Sequence, residues 1–568
     1  MNFLVFLRDE DLPLPKDSRT LLGTPRNIPT EEKCGGQYIY LGITSSVVNI
    51  LKQNTAFLDN SNSVDLVVSI DGINIFKASP TQLWPIICTF SVFEPFVVAM
   101  YYGTSKPDSV NDYLADFLAE YTQLQENKIV VNGKEINVQI KAFVCDAPAR
   151  AFVKCIKGHT GYYSCERCIV KGEYKNKRVV YLGDYPLRTD VAFANGLYND
   201  HQLGVSPLLN VWINCVTGFP LDYMHLVCLG VVKRLLCFFK KGPPECRLSQ
   251  GHLHEISTHL VSLSGKLPSE FAPQPRSLTE LNWWKATEFR QFVLYTGPVV
   301  LKKVLHKDVY DHFLCLTVAL SILLDSCERR RVAYMDFAEQ LLSYFVAKCE
   351  AYIHSSFPGD CRNYQCSLND ICAFPFENHL QVLKRLVRNA KNPICQVTKR
   401  LIEQERAGSR PKETGKKSWH FVAENERNGC FLLHNEDFAF VKEKRDGRLL
   451  CDIISQNSLE SFILCLATPS SLMWGLSETW TEYANTAGFL TCLILNVKWL
   501  VCHTVQDMCL CLYFIDLSGK YKKKITSRRN FDCFFYAKGH FNWGPPLKHL
   551  EKQLGQYIIC FDGAIVRI

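Results

Sequence analysis

Ile136-Asn-Val-Gln-Ile-Lys-Ala-Phe-Val-Cys-Asp146 is followed by Ala147-Pro-Ala-Arg-Ala-Phe-Val-Lys-Cys155 and, a few residues on, by Gly161-Tyr-Tyr-Ser-Cys165-Glu-Arg-Cys168. Val138, Ile140, Ala142 and Val144 alternate with Asn137, Gln139 and Lys141, the two-residue period of a strand. The pattern predicts a strand ending on Asp146, with Pro148 in the first turn of a following helix. Open α/β sheets place their sites at such carboxyl ends. A carboxylate there can hold a hard cation, and the Cys165/Cys168 thiol pair can hold zinc. Taken alone, Asp146 reads equally as a helix cap, and two cysteines without a second pair are a weak metal signature.

Working back from this stretch, Leu66-Val-Val-Ser-Ile70 predicts a strand ending on Asp71-Gly72. Leu83–Val92 and Glu94–Tyr102 predict two more, rich in β-branched and aromatic residues. Tyr113, Leu114, Phe117, Leu118 and Tyr121 form a helical stripe within Asn111–Gln123. Asn132-Gly133 predicts a hairpin into the strand before Asp146. The order is strand, strand, strand, helix, strand, with an acid closing the first and the fourth. In a ribonuclease-H-like sheet those two strands lie side by side and their carboxylates meet. Before them, residues 1–64 read as a packing arm: Pro13, Pro15, Pro25 and Pro29 forbid a long helix, and Gln37–Leu41 predicts one short strand.

Beyond Cys168, Lys171–Arg178 reads as a solvated basic loop. From Leu226 to Ile371 the pattern is helical, at Val231–Phe239, His252–Leu263, Trp284–Tyr295, Tyr310–Leu324 and Tyr334–His354. Phe374-Pro-Phe-Glu377 opens another amphipathic helix, apolar at Leu380, Leu383, Leu386 and Val387, basic at Lys384, Arg385 and Arg388. Residues 407–420 read as a linker. Residues 421–568 read as a β-rich domain, with strands at Cys430–Leu433, Phe438–Lys442, Ser458–Leu466, Thr491–Val497 and Cys509–Phe514 and a basic run at Lys520–Arg529.

The 568 residues carry 47% hydrophobic and 21% charged side chains, which excludes a disordered chain and predicts two or three domains. A net charge of +8 permits nucleic-acid binding without demanding it. The 26 cysteines are scattered through apolar segments, as in reduced proteins, and Arg8-Asp9-Glu10 interrupt the first apolar run too early for a signal peptide. Lys498, His503, Gln506 and Asp507 break the apolar stretch Ala487–Phe514, so it reads as core strands and no membrane partner is expected.

Five separated segments in order resemble the CACTA (En/Spm-like) group of cut-and-paste DDE transposases. They are Ser69-Ile-Asp71-Gly-Ile with Trp84-Pro85; Cys145-Asp146-Ala-Pro-Ala; Gly161-Tyr-Tyr-Ser-Cys165-x-x-Cys168; Trp284-Lys-Ala-Thr-Glu-Phe-Arg290 with Gly297-Pro298; and Phe374-Pro-Phe-Glu377-Asn. The likeness covers Leu14–Glu405. It implies a ribonuclease-H-like catalytic domain over 65–225, interrupted by a helical insertion over 226–372 and completed by a helix over 373–406. It also implies a catalytic triad of Asp71, Asp146 and Glu377. The last two acids are 231 residues apart, a gap that a helical insertion explains. The triad would hold two Mg²⁺ (or Mn²⁺) ions about 3.5–4 Å apart for phosphodiester cleavage and strand transfer at transposon ends.

His225 matches a family zinc position beside Cys165 and Cys168. Phe219 stands where a second His belongs, which leaves Asp222, Cys228 or His159 as candidate fourth ligands of a structural Zn²⁺. Lys384, Arg385 and Arg388 are expected to contact double-stranded DNA. The resemblance also implies a nuclear location and a homo-oligomer assembled on DNA. Family members usually carry an N-terminal DNA-binding region, whereas this chain opens almost at the catalytic segment. That departure keeps a second expectation open: a domesticated or decayed relative acting as a non-catalytic DNA-binding or protein-interaction module.

Overall fold

The computed structural model describes Pro15, residues 17–175, 178–181, 185–267, 271, 273–349 and 357–407, and four later strands, Cys430–Leu432, Phe438–Arg445, Arg448–Ile454 and Leu512–Asp516. The chain divides into two compact units: one runs to Val227 and resumes at Cys349, and the other takes Cys228–Lys348 and the chain from Ser418.

The first unit is mixed α/β. Its strands are β1 (Glu31–Lys33), β2 (Gly36–Tyr40), β3 (Ser63–Ile70), β4 (Ile73–Asn74), β5 (Gln82–Thr89), β6 (Phe96–Gly103), β7 (Ile129–Val131) and β8 (Lys134–Phe143). They hydrogen-bond in the order β1-β2-β6-β5-β3-β8-β7, with β4 on β5. β3 and β8 run parallel and the other pairs of this sheet are antiparallel. Asn132 and Gly133, at φ of 50° and 81°, turn the chain between β7 and β8 as a two-residue hairpin requires. Pro85 lies inside β5, where it cannot donate a ladder bond, and the β5–β6 register slips just beyond it, between Ile86 and Ile87.

Helix α1 (Thr44–Gln53) buries Val47, Ile50 and Leu51, and α2 (Val110–Glu126) buries Tyr113, Leu114, Phe117, Leu118, Tyr121 and Leu124. At about 1.5–3 kcal/mol per buried large apolar side chain, the α2 face alone contributes on the order of 10 kcal/mol gross, far more than its helix propensity. β2 pairs with β6 from Gln37↔Tyr102 to Tyr40↔Ala99. The segment expected as an arm over 1–64 is therefore part of the sheet and core from β1 onward. The strand expected to end on Asp146 stops at Phe143, and α3 (Ala147–Val153) follows with Asp146 as its N-cap. The run expected as a basic loop is instead a small hairpin, β9 (Glu173–Lys175) with β10 (Arg178–Val180). In the resumed segment, Phe357–Tyr364 is helical, followed by α4 (Phe374–Leu386) and α5 (Pro393–Arg406).

In the second unit the described residues between Cys228 and Lys348 contain helices and no strand. Lys233–Lys241, Gln250–Ser262 and Lys307–Leu323 follow the apolar periodicity. The span Trp284–Tyr295, which reads as one helix, is divided. Ala286–Gln291 is α-helical, Phe292–Thr296 widens into a π-helix, and Gly297–Leu301 resumes with Pro298 in its first turn. Pro298 cannot donate the i→i−4 bond, which accounts for a break there. The C-terminal strands β11 (Cys430–Leu432), β12 (Phe438–Arg445), β13 (Arg448–Ile454) and β14 (Leu512–Asp516) form one antiparallel sheet in sequence order. β13 was not anticipated. The strands expected at Ser458–Leu466 and Thr491–Val497, most of the linker and the Lys520–Arg529 run lie outside the described residues. Among the described residues, no helix is long and apolar enough to cross a membrane.

Candidate active site

Strand register brings the first two acids together. Val68 pairs with Phe143 across the parallel β3–β8 ladder, and Val144 N–H then donates to the Val68 carbonyl at 2.8 Å. Asp71 and Asp146 each lie three residues past that pair, at the same end of adjacent strands. Asp71 Oδ1 accepts from the Gly72 N–H at 2.7 Å, and Asp146 Oδ1 accepts from the Ala149 N–H at 2.8 Å. Gly72 is obligatory for space: a Cβ there would lie 2.5 Å from the Trp84 ring.

Glu377 arrives from the other segment of the unit, in the first turn of α4. The start of that helix is tied down by the buried Asp222, whose Oδ1 accepts from the Ala373 N–H at 2.8 Å. Asp222 Oδ2 accepts from the backbone N–H of His225 at 2.8 Å and from its Nδ1 at 2.6 Å. The other ring nitrogen, Nε2, lies 3.6 Å from Glu377 Oε1. His225 thus stands between two carboxylates. It occupies the first turn of Met224–Val232, which is wound as a π-helix, a form rare in general and frequent at functional sites.

The electrostatics follow from this crowding. Burial, and then the charges of Asp146 and Glu377, push the Asp71 carboxyl up to about 8, against smaller lowering effects of His225 and the Gly72 N–H. Burial opposes a charged His225, yet its hydrogen bond to Asp222, its close pairing with Glu377 and the charges of both carboxylates outweigh it and hold the imidazole up at about 10. Asp71, Asp146 and Glu377 therefore share one electrostatic site with more negative charge than His225 neutralises. Carboxylate oxygens are the donors a hard divalent cation takes, so the chemistry of the set fits Mg²⁺ or Mn²⁺. Among the described residues, however, no three His, Cys, Asp or Glu side chains close into an ion-binding cage.

Cys165 and Cys168 have sulfurs 3.4 Å apart, and the hydrogen bond to Cys165, with burial, raises the Cys168 thiol well above its ordinary range. His225 has both ring nitrogens toward carboxylates, Asp222 and Glu377, and among the described residues no group of three His, Cys, Asp or Glu side chains that could hold a metal ion includes the two thiols. Asp222 accepts from Ala373 and His225, and His159 is exposed in a turn.

The expected DNA contacts divide as well. Lys384 and Arg385 lie in the last turn of α4, whereas Arg388 lies beyond its end at Leu386. Arg385 and Arg388 are exposed. Lys384 is half-buried and donates to the Asn74 carbonyl at 2.6 Å, so it fastens α4 to β4.

Sequence reasoning missed the Asp222–His225 pair as part of the acidic site. Asp222, three residues before His225 and just ahead of a helical run, was the available signal, the spacing at which a capping carboxylate takes a backbone N–H. No family model matches this chain, and no curated protein matches it.

Proposed function

We propose that this chain is a transposase-type DNA-cleaving and DNA-joining enzyme with a ribonuclease-H-like catalytic domain and a helical insertion between Asp146 and Glu377. The observation that carries the reading is the convergence of three acids: Asp71 and Asp146 stand three residues past the paired Val68 and Phe143 at one end of adjacent strands, and Glu377, which faces His225, joins Asp146 and burial in pushing the Asp71 carboxyl up. Three carboxylates from three separate segments, crowded until one resists ionisation, suit a site made for divalent cations. The parallel β3–β8 pair with antiparallel β5 and β6 beyond β3 supports the architecture. Divalent ions bound there would stabilise the entering and leaving oxygens of a phosphodiester.

The chain's own residues have distinct tasks in this reading. Asp71, between the other two carboxylates in charge, is the common ligand. Asp146, fixed as an N-cap, and Glu377, held by the Asp222-anchored helix, each complete one side. His225 restrains Glu377 and supplies a positive charge near the scissile phosphate. Arg385 and Arg388 meet flanking phosphates, which position DNA without reading its sequence.

A second reading, a transposase-derived DNA-binding module without catalysis, is favoured by one observation: His225 already pairs with Glu377. One experiment separates the two. Supercoiled plasmid is incubated with the full chain and Mg²⁺ or Mn²⁺, beside Asp71→Asn, Asp146→Asn and Glu377→Gln. Metal-dependent nicking abolished by each substitution supports the enzyme. Salt-sensitive DNA binding with no nicking refutes it and leaves the binding module.

A further inference from the structure

Between Cys165 and Cys168 stand Glu166 and Arg167, and each braces a different side of the acidic site. Glu166 Oε1 accepts from Arg150 Nε at 2.9 Å and Oε2 from Lys154 Nζ at 2.8 Å, on α3 and at its C-terminal end. Arg150 Nη1 donates in turn to the Cys145 carbonyl at 2.7 Å, the peptide that leads into Asp146. Glu166 therefore fixes both the helix that Asp146 caps and the backbone just before it.

Arg167 reaches the opposite side. Its Nη1 donates to the Val216 carbonyl at 2.6 Å, and its Nη2 to the Phe219 carbonyl at 2.7 Å and to Asp360 Oδ1 at 3.0 Å. Asp360 Oδ2 accepts from the Leu221 N–H at 3.1 Å. Leu221 precedes Asp222, which holds both His225 and the first turn of α4 with Glu377. Arg150, Lys154, Arg167, Asp222 and Asp360 are all buried, so these contacts are shielded from water and fixed in geometry.

The geometry points to Glu166 and Arg167 as positioning residues that together set how far Asp146 stands from the Asp222–His225–Glu377 side, and hence how tightly the site holds a divalent cation. This rests on the reading of the acidic site given above. A lysine at 167 would keep the charge but lose the planar fork that serves two carbonyls and Asp360 together. A glutamine at 166 would keep the shape but lose the charge that Arg150 and Lys154 share.

The test uses the full chain and Mn²⁺ alone, with free Mn²⁺ read by electron paramagnetic resonance and folding read by circular dichroism and urea midpoint. Asp71→Asn marks which binding belongs to the acidic site. Folded Arg167→Lys and Glu166→Gln are expected to bind Mn²⁺ about 10- to 100-fold more weakly, the usual effect of losing a residue that orients metal ligands. Arg167→Met should lose more than Arg167→Lys. Should Arg167→Met not fold, the two conservative variants decide. Unchanged Mn²⁺ affinity in both, whatever their urea midpoints, overturns the proposal and leaves a network that only stabilises the fold. Unaltered protein that binds no Mn²⁺ overturns the cation reading itself, and this proposal with it.

Discussion

Asp71→Asn should make the metal-free protein more stable in alkali, and the gain should vanish on adding Mg²⁺. The native carboxyl titrates at about 8 and its ordinary value is 3.8. A carboxyl raised in the folded state is ionised by the unfolded chain first. Folding stability is therefore lost as pH rises from about 4 to about 8 and stays lost above that. Each pH unit of displacement is worth about 1.4 kcal/mol, which caps the loss at about 6 kcal/mol. Partial exposure of Asp71 lets water screen the repulsion, so about half is the reasonable expectation. Near pH 5 roughly a quarter of the loss has already occurred. The stability difference between Asp71→Asn and wild type should then widen by about 2 kcal/mol from pH 5 to pH 8.5. Urea midpoints at the two pH values measure it; at about 1–3 kcal/mol per molar urea, the variant's advantage grows by about 1 M. Mg²⁺ should raise the wild-type midpoint at pH 8.5 and leave that of Asp71→Asn nearly unchanged, since a ligand stabilises only the state that binds it. A difference independent of pH, or equal responses to Mg²⁺, would refute the claim that Asp71 is held against Asp146 and Glu377.

His225→Gln should destabilise the protein by about 1.5–3 kcal/mol at pH 7. The raised imidazole contributes fully below about 6.5 and loses its contribution progressively up to about 10, so the thermal-midpoint penalty should shrink across that window and be gone above it. Gly72→Ala puts a Cβ 2.5 Å from the Trp84 ring and should cost about 1–3 kcal/mol by thermal shift, with loss of any metal-dependent nicking. Replacing Arg385 and Arg388 with Ala should lower the salt dependence of DNA binding by about two charges, and adding Lys384→Ala should not lower it further, because Lys384 is bound to Asn74. Elemental analysis of purified protein decides the zinc expectation: stoichiometric zinc that Cys165→Ser and Cys168→Ser both remove supports a site at the thiol pair, and zinc absent from the unaltered protein refutes it.

The strands β3 and β8 were legible because alternation in Val138–Val144 and the apolar run Leu66–Ile70 are direct consequences of a pleated, buried strand, whereas their adjacency was expected only from the ribonuclease-H-like template and their parallel pairing is a finding of the structure. The Asn132-Gly133 turn was legible for the same kind of reason: few residues accept two successive positive φ angles. Element ends were less legible. Val144 and Cys145 continue the apolar pattern past Phe143, where the assigned strand ends, and hydropathy does not record where pairing stops. The sheet membership of Gly36–Tyr40 depends on a partner, β6, some sixty residues away in sequence, and a five-residue strand gives little local sign of it.

The site shows where a sequence pattern is ambiguous in chemistry and not only in position. A histidine after a Cys-x-x-Cys pair suits zinc by residue type, and the sequence offers no charge map to argue otherwise. In the fold, Asp222 takes the Nδ1 of His225 and three backbone N–H groups, which fixes the ring with Nε2 toward Glu377. An imidazolium so placed lowers the repulsion that Asp71 feels, yet not enough to return Asp71 to its ordinary range. His225 and a divalent cation thus answer the same excess of negative charge. Cation binding at Glu377 must weaken the His225–Glu377 pair, so it should release a proton from His225 where the pH lies near its titration. Proton release on Mg²⁺ addition, followed with a pH indicator at pH 8 to 9, should fall in His225→Gln by the share that His225 supplies, leaving the share from Asp71. Equal release in the variant and the wild type would mean that His225 and the cation do not compete for Glu377.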